Sequence, residues 1–172
     1  MSELTKKRNF GAIVFLLVLV LDQLTKAIAY TFLENGKPVA VISSVFNLAL
    51  VYNPGAAFGM FSSLPDASRR IVLLVVSLIA LGVVVRFMLH EAKGDRFAQA
   101  ALGGILGGAL GNIIDRIRFD AVVDFLDFYY KSYHWPAFNV ADSAISIGVC
   151  VLILRVFVHE NGTAAKNAVA SP

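Results

Sequence analysis

The chain has 172 residues, 58% of them hydrophobic, and a formal net charge of +3. Soluble domains are about 45–50% apolar; the mean hydropathy of the whole chain is +0.72, and the excess is gathered into long uncharged runs, which excludes an ordinary soluble domain and indicates a membrane protein. The mild basicity is that of loops on one side of a membrane rather than of a nucleic-acid binder, and a single cysteine, Cys150, excludes an intrachain disulfide and a cysteine-based metal site.

The first apolar run spans about 10–30 and follows Lys6, Lys7 and Arg8. It is too long for the apolar region of a signal peptide and lacks a small-x-small cleavage site, so it reads as a retained first membrane helix. Within it, Asp22 and Lys26 stand at i,i+4 with the acid first, the favourable order for a helical ion pair. A structural pair is the simpler reading; support of an active site is the sharper one. An ionisable group costs about 2.5–3.5 kcal/mol at the centre of a span on insertion scales, so each needs a reason.

The next connection is not plain linker. Val39–Ile42 and Val45–Tyr52 are β-prone and are broken by Ser43-Ser44 and by Asn53-Pro54-Gly55, which predicts a small twisted sheet over about 38–60, lying on the membrane surface. A second span follows at about 71–89. The third, about 97–117, carries Gly103, Gly107 and Gly111 on one stripe, with Gly104 and Gly108 on an adjacent one. Such stripes let helix backbones approach closely. Asn112, Asp115 and Arg116 follow on one face of the same helix. Asp115 and Arg116 read most simply as an interfacial pair, whereas Asn112 pointing into a bundle needs hydrogen-bond partners.

Beyond the third span, Asp124 sits between apolar neighbours in Val122-Val123-Asp124-Phe125, while Asp120 and Asp127 read as solvated loop acids. The fourth span is predicted at about 140–158. Asn139 is a good N-cap for it, and Asp142 at N3 would answer as in a capping box; capping alone does not explain Ser143 and Ser146 behind that acid. Residues 159–172 are small and polar and read as a disordered tail.

Four spans place both termini on one side. Lys6, Lys7, Arg8, Arg86, Lys93, Arg96, Arg155 and Lys166 would share that side, against Lys37, Arg69, Arg70, Arg116, Arg118 and Lys131 on the other. The N-terminal cluster decides for cytoplasmic termini.

Five pieces taken together resemble the lipoprotein signal peptidases (signal peptidase II). They are Asp22-Gln23-Leu24-Thr25-Lys26, Asn53-Pro54-Gly55-Ala56-Ala57-Phe58, Gly107 to Arg116, Val123-Asp124-Phe125 and Phe138-Asn139-Val140-Ala141-Asp142-Ser143. Pro54 departs from the pattern, where Thr is more usual. The resemblance implies a four-helix membrane bundle with a β-cradle in its first periplasmic connection. It implies that Asp124 and Asp142 are a catalytic aspartic dyad, with Asn53, Gly108, Asn112, Arg116 and Asn139 lining a polar pocket beside them. Asp115, Asp22 and Lys26 are expected to support that site. The implied substrate is a prolipoprotein whose signal peptide ends at a cysteine already carrying diacylglycerol, cleaved just before that cysteine. No metal or cofactor is implied. We expect a monomer in the bacterial cytoplasmic (inner) membrane whose partners are its lipidated substrate and membrane lipid, with no nucleic acid. The rival from another class is a small proton-coupled transporter using the same aspartates as a relay.

Overall fold

A computed structural model of the chain describes residues 3–34, 36–55, 65–90 and 95–169, with side chains over 10–155 except those of Leu89 and His90. Among the described residues, four helices and four strands follow one another as α1 Glu3–Phe32, β1 Val39–Ile42, β2 Phe46–Asn53, α2 Asp66–His90, α3 Arg96–Phe119, β3 Val122–Tyr130, β4 Tyr133–His134 and α4 Val140–Val169. Residues 56–60 of the expected cradle, with the Ala56-Ala57-Phe58 end of its motif, lie outside the described residues.

Three helices are long and apolar enough to cross a membrane, over Phe10–Phe32, Asp66–Met88 and Arg96–Phe119; this holds for the described residues, and the side chains of α4 are described only as far as Arg155. A helix of 24 residues such as α3 reaches about 36 Å, enough for a hydrocarbon core of about 30 Å. The helical backbone of α4 continues to Val169, through residues read from sequence as a disordered tail. Ala164, Ala165 and Ala168 favour that continuation, because extending a formed helix is far easier than nucleating one.

The central helix is α3, and its two glycine stripes explain why. A Cβ at Gly103 would strike the backbone of Gly11, one at Gly107 would lie 2.6 Å from the carbonyl of Phe15, and one at Gly111 would strike the Asp22 carboxylate. All three contacts are with α1. On the adjacent stripe, a Cβ at Gly108 would sit 2.5 Å from the Ala141 carbonyl of α4. Each stripe therefore seats one neighbouring helix at backbone distance. The outward side chains of α1 and α2, among them Leu16, Val20, Leu24, Ile71, Ile79 and Val83, are exposed. Apolar surface so extensive is that of a lipid-facing bundle.

The strands form one antiparallel sheet in the order β1-β2-β3-β4. It sits at the end of the bundle where α1 and α3 finish and where α2 and α4 begin. The β1–β2 hairpin matches the sequence expectation, with Ser44 in the left-handed region at its turn. β3 and β4 go beyond that expectation. Asp120 caps α3 in the left-handed conformation, its N–H donating to the Arg116 carbonyl, and turns the chain into β3. That strand then pairs with β2 from Phe46↔Phe128 to Asn53↔Val122. The sheet is thus shared between the two long connections rather than confined to the first.

Candidate active site

Asp124 lies on β3, its carboxylate buried against the helix ends. Both of its oxygens are held. Asn53, the last residue of β2, donates from Nδ2 to Asp124 Oδ2 at 3.1 Å, and Asn139 donates from Nδ2 to Asp124 Oδ1 at 2.7 Å. Asp142 lies in the first turn of α4. Its backbone N–H donates to Asn139 Oδ1 at 2.9 Å, so the N-cap bond expected from sequence is present. Its carboxylate does not answer the cap as a capping box would but reaches across to α3, where Oδ1 accepts from Asn112 Nδ2 at 2.8 Å. Asn139 joins the two acids, because it holds Asp124 with its amide nitrogen and the Asp142 backbone with its amide oxygen. It is fully buried.

Burial pushes the Asp124 carboxyl up to about 7, and the negative charge of Asp142 adds to the rise; the hydrogen bonds from Asn53 and Asn139 and the charge of Lys26 oppose it. Two carboxyls near enough to couple in this way do not both ionise readily.

Beneath them is a buried polar network. Lys26 Nζ contacts Asp22 Oδ2 at 2.9 Å, Asp115 Oδ2 at 2.8 Å and Asn112 Oδ1 at 2.8 Å. Asp22 Oδ1 accepts from the Ala141 N–H at 2.9 Å, and Asp115 Oδ2 accepts from the Val123 N–H at 3.1 Å. Gln23, not singled out from the sequence, donates to both acids and to the Gly111 carbonyl. The expected Asp22–Lys26 pair is therefore real but incomplete without Asp115. Asp115 is correspondingly not the surface partner of Arg116: it is 1% exposed and bound to Lys26. Arg116 instead donates to the Asn112 carbonyl at 3.4 Å and lines a cleft. Because Asn112 Oδ1 faces the Lys26 ammonium, its Nδ2 must face Asp142, which fixes the amide orientation.

The cleft has a volume of about 600 Å³ and opens beside Asp142, with Asn53, Asn112, Arg116, Trp135, Phe138 and Ser146 on its walls. Its mostly apolar walls with a few convergent polar groups are those of a ligand site. Gly108 contributes space rather than lining, since α4 packs on it.

The structure brings the expected residues close together but not all to the cleft: Asn139 and Gly108, expected on its lining, are buried behind it. The polar centre joins Asp124, Asp142, Asn53, Asn112 and Asn139. Arg116 lies on the cleft wall, Asp22, Lys26 and Asp115 lie beneath, and Gly108 lies at the α3–α4 contact. It corrects one acid left outside. Asp127 is not a solvated loop residue but is buried in the sheet, hydrogen-bonded to Asn47 and His134. Its place in a run rich in aromatic and β-branched residues was the available signal.

Residues 14–158 match the family model described as Signal peptidase (SPase) II. The chain belongs to the signal peptidase II family. It is 45% identical over 145 residues to a lipoprotein signal peptidase of Desulforapulum autotrophicum, covering 84% of this chain and 89% of the relative. It is also 45% identical over 154 residues to one from Geobacter sulfurreducens, covering 89% and 94%. Among solved structures, a bacterial membrane enzyme superposes with a TM-score of 0.79 at 32% identity, covering 88% of this chain and 90% of the other. Signal peptidase II membership makes the chain a peptidase, and its fold that of a membrane enzyme. The transporter alternative falls with it.

Proposed function

We propose that this signal peptidase II is an aspartic endopeptidase that removes signal peptides from diacylglyceryl-modified bacterial prolipoproteins, cleaving just before the lipidated cysteine. The observation that carries the reading is the pair Asp124 and Asp142, two coupled acids set on separate elements and held by asparagine donors beside one cleft. Amide hydrolysis needs a base for the attacking water and an acid for the carbonyl oxygen and the leaving amine. One proton shared between two carboxyls supplies both. Burial and the charge of Asp142 favour a protonated Asp124, which would donate to the scissile carbonyl while ionised Asp142, on the cleft wall, takes a proton from water. The roles exchange as the tetrahedral intermediate collapses and the amine leaves with a proton. The pair titrates as a unit, so the assignment describes the starting microstate only. Arg116 would stabilise charge on the carboxylates and orient the peptide backbone.

In this reading all four helices span the bacterial inner membrane, both termini are cytoplasmic, and the sheet is a cradle on the periplasmic face. The dyad then lies at the interface, where the acyl chains stay in lipid while the peptide bond meets water. The test is cleavage by the purified protein in detergent of two precursors, one with diacylglycerol on its cysteine and one without. The modified precursor should be cut just before the cysteine and the unmodified one spared. Failure to cut either, or equal cutting of both, would overturn the reading.

A further inference from the structure

Outside the dyad the sheet holds a second group of polar side chains. Asp127 is buried on β3, and its cross-strand partner is Asn47 of β2, which donates from Nδ2 to Asp127 Oδ2 at 3.1 Å. From the other side His134 of β4 places Nδ1 at 2.8 Å from Asp127 Oδ1 and 3.1 Å from Oδ2. Both carboxylate oxygens thus face one ring nitrogen, which must carry a hydrogen to bond them. The His134 ring stacks on Tyr129 with centroids 5.1 Å apart, and Tyr129 in turn accepts at its hydroxyl from the Ser44 N–H of the β1–β2 turn. Asp127 and Tyr129 are the groups of β3 that meet the imidazole. Lys131 of the turn lies instead over the Tyr130 ring.

What these bonds hold is the outer wall of the cleft. Directly after His134, Trp135 donates its N–H to the Phe128 carbonyl at 2.8 Å. Residues 135–138 line the cleft, and Phe138 exchanges backbone bonds with Leu126 immediately before Asn139. β4 is only two residues long, too short to fix this wall by its ladder alone. Removing the Asp127–His134 contact would leave a buried carboxylate short of a partner and free the segment that begins the wall.

We propose that Asn47, Asp127 and His134 form a charge-assisted clasp that positions the Trp135–Phe138 wall for substrate, and that its grip depends on the charge of His134. The imidazolium–carboxylate bond is roughly twice as strong as the neutral one, and histidine changes charge between about pH 5 and 8. The clasp acts through the wall, so Asp127 and His134 are positioning residues that govern binding rather than the chemical step. The kinetic part rests on the peptidase reading above.

The test has two arms. Trp135 is the chain's single tryptophan and adjoins His134, so its emission reports the wall without any turnover. In the intact protein in detergent, emission should change with pH. His134→Asn keeps an uncharged donor and should abolish that component. Asp124 also titrates but is untouched by the variant, so it cannot account for the difference. In the second arm, His134→Asn and Asp127→Asn should raise KM for a lipidated precursor about tenfold, the scale of one charge-assisted bond, with kcat within about twofold and a KM that no longer rises with pH. His134 is half exposed, so its substitution leaves the fold standing even if that of Asp127 does not. A Trp135 titration unchanged in His134→Asn overturns the clasp, as does an unchanged KM or a loss confined to kcat. Absence of cleavage by the unsubstituted protein would instead count against the peptidase reading and leave the fluorescence arm to decide the clasp.

Discussion

Asp124 carries a proton well above the range of a free carboxyl because burial and Asp142 oppose its charge. In the unfolded chain it would lose that proton near about 4. Between that value and about 7 the folded state therefore binds the extra proton, so this group costs stability as pH rises through the window. On the aspartic mechanism proposed above, that cost is the counterpart of use, for the shared proton would remain available up to about pH 7. Precursor cleavage, followed as kcat/KM against pH, should decline above that point. Asp142→Asn removes the neighbouring charge and should bring the Asp124 titration down, measurable by the pH dependence of inhibitor binding. Much of this site was legible from single residues, because an ionisable group or amide in an apolar run is costly unless it has partners. Asp22, Lys26, Asn112, Asp124 and Asp142 all declared themselves in that way. Asp127 did not, because its partner Asn47 lies 80 positions away and meets it only through the sheet.

The helices were legible because their hydropathy is continuous, and the glycine stripes because a spacing of four is a face. β3 was missed for the opposite reason. Val122–Tyr130 lies between two spans and pairs with a strand from the other connection, so neither connection alone shows a sheet of this extent. The stripes also give a graded prediction. A Cβ at Gly104 would meet only the Ala144 carbonyl at 3.7 Å, an ordinary contact, whereas one at Gly108 would press on the Ala141 carbonyl at 2.5 Å. Gly104→Ala should keep activity and thermal stability near those of the parent. Gly108→Ala should push the first turn of α4, and Asp142 with it, away from Asn112. We expect about 1–3 kcal/mol of destabilisation from the overpacking, read by thermal unfolding in detergent. Loss of cleavage activity of about tenfold or more should accompany it, since an ångström of misplacement at reacting groups has effects of about a hundredfold.

In the whole molecule, Asp22, Asp115, Asp124 and Asp142 gather at one end of the bundle, under a sheet that both long connections build. On the proposed topology, with cytoplasmic termini and the sheet on the periplasmic face, a reporter fused after Val158 should behave as cytoplasmic and one near Gly36 as exported. The reverse pattern would put the site on the wrong face for an exported substrate.

The most direct measurement of the central claim is signal-peptide release from a diacylglyceryl precursor by Asp124→Asn, Asp142→Asn and the double variant, with precursor binding followed separately. An asparagine in place of Asp142 could still accept from Asn112 Nδ2 through its amide oxygen, so a merely structural acid would leave activity nearly intact on substitution. A shared-proton dyad would lose several orders of magnitude in each single variant and little more in the double one, because residues acting as one unit are not additive. Asp120→Asn, at the exposed end of α3, is the control and should stay active. Retained turnover in Asp142→Asn, or independent additive losses at the two positions, would contradict the aspartic mechanism.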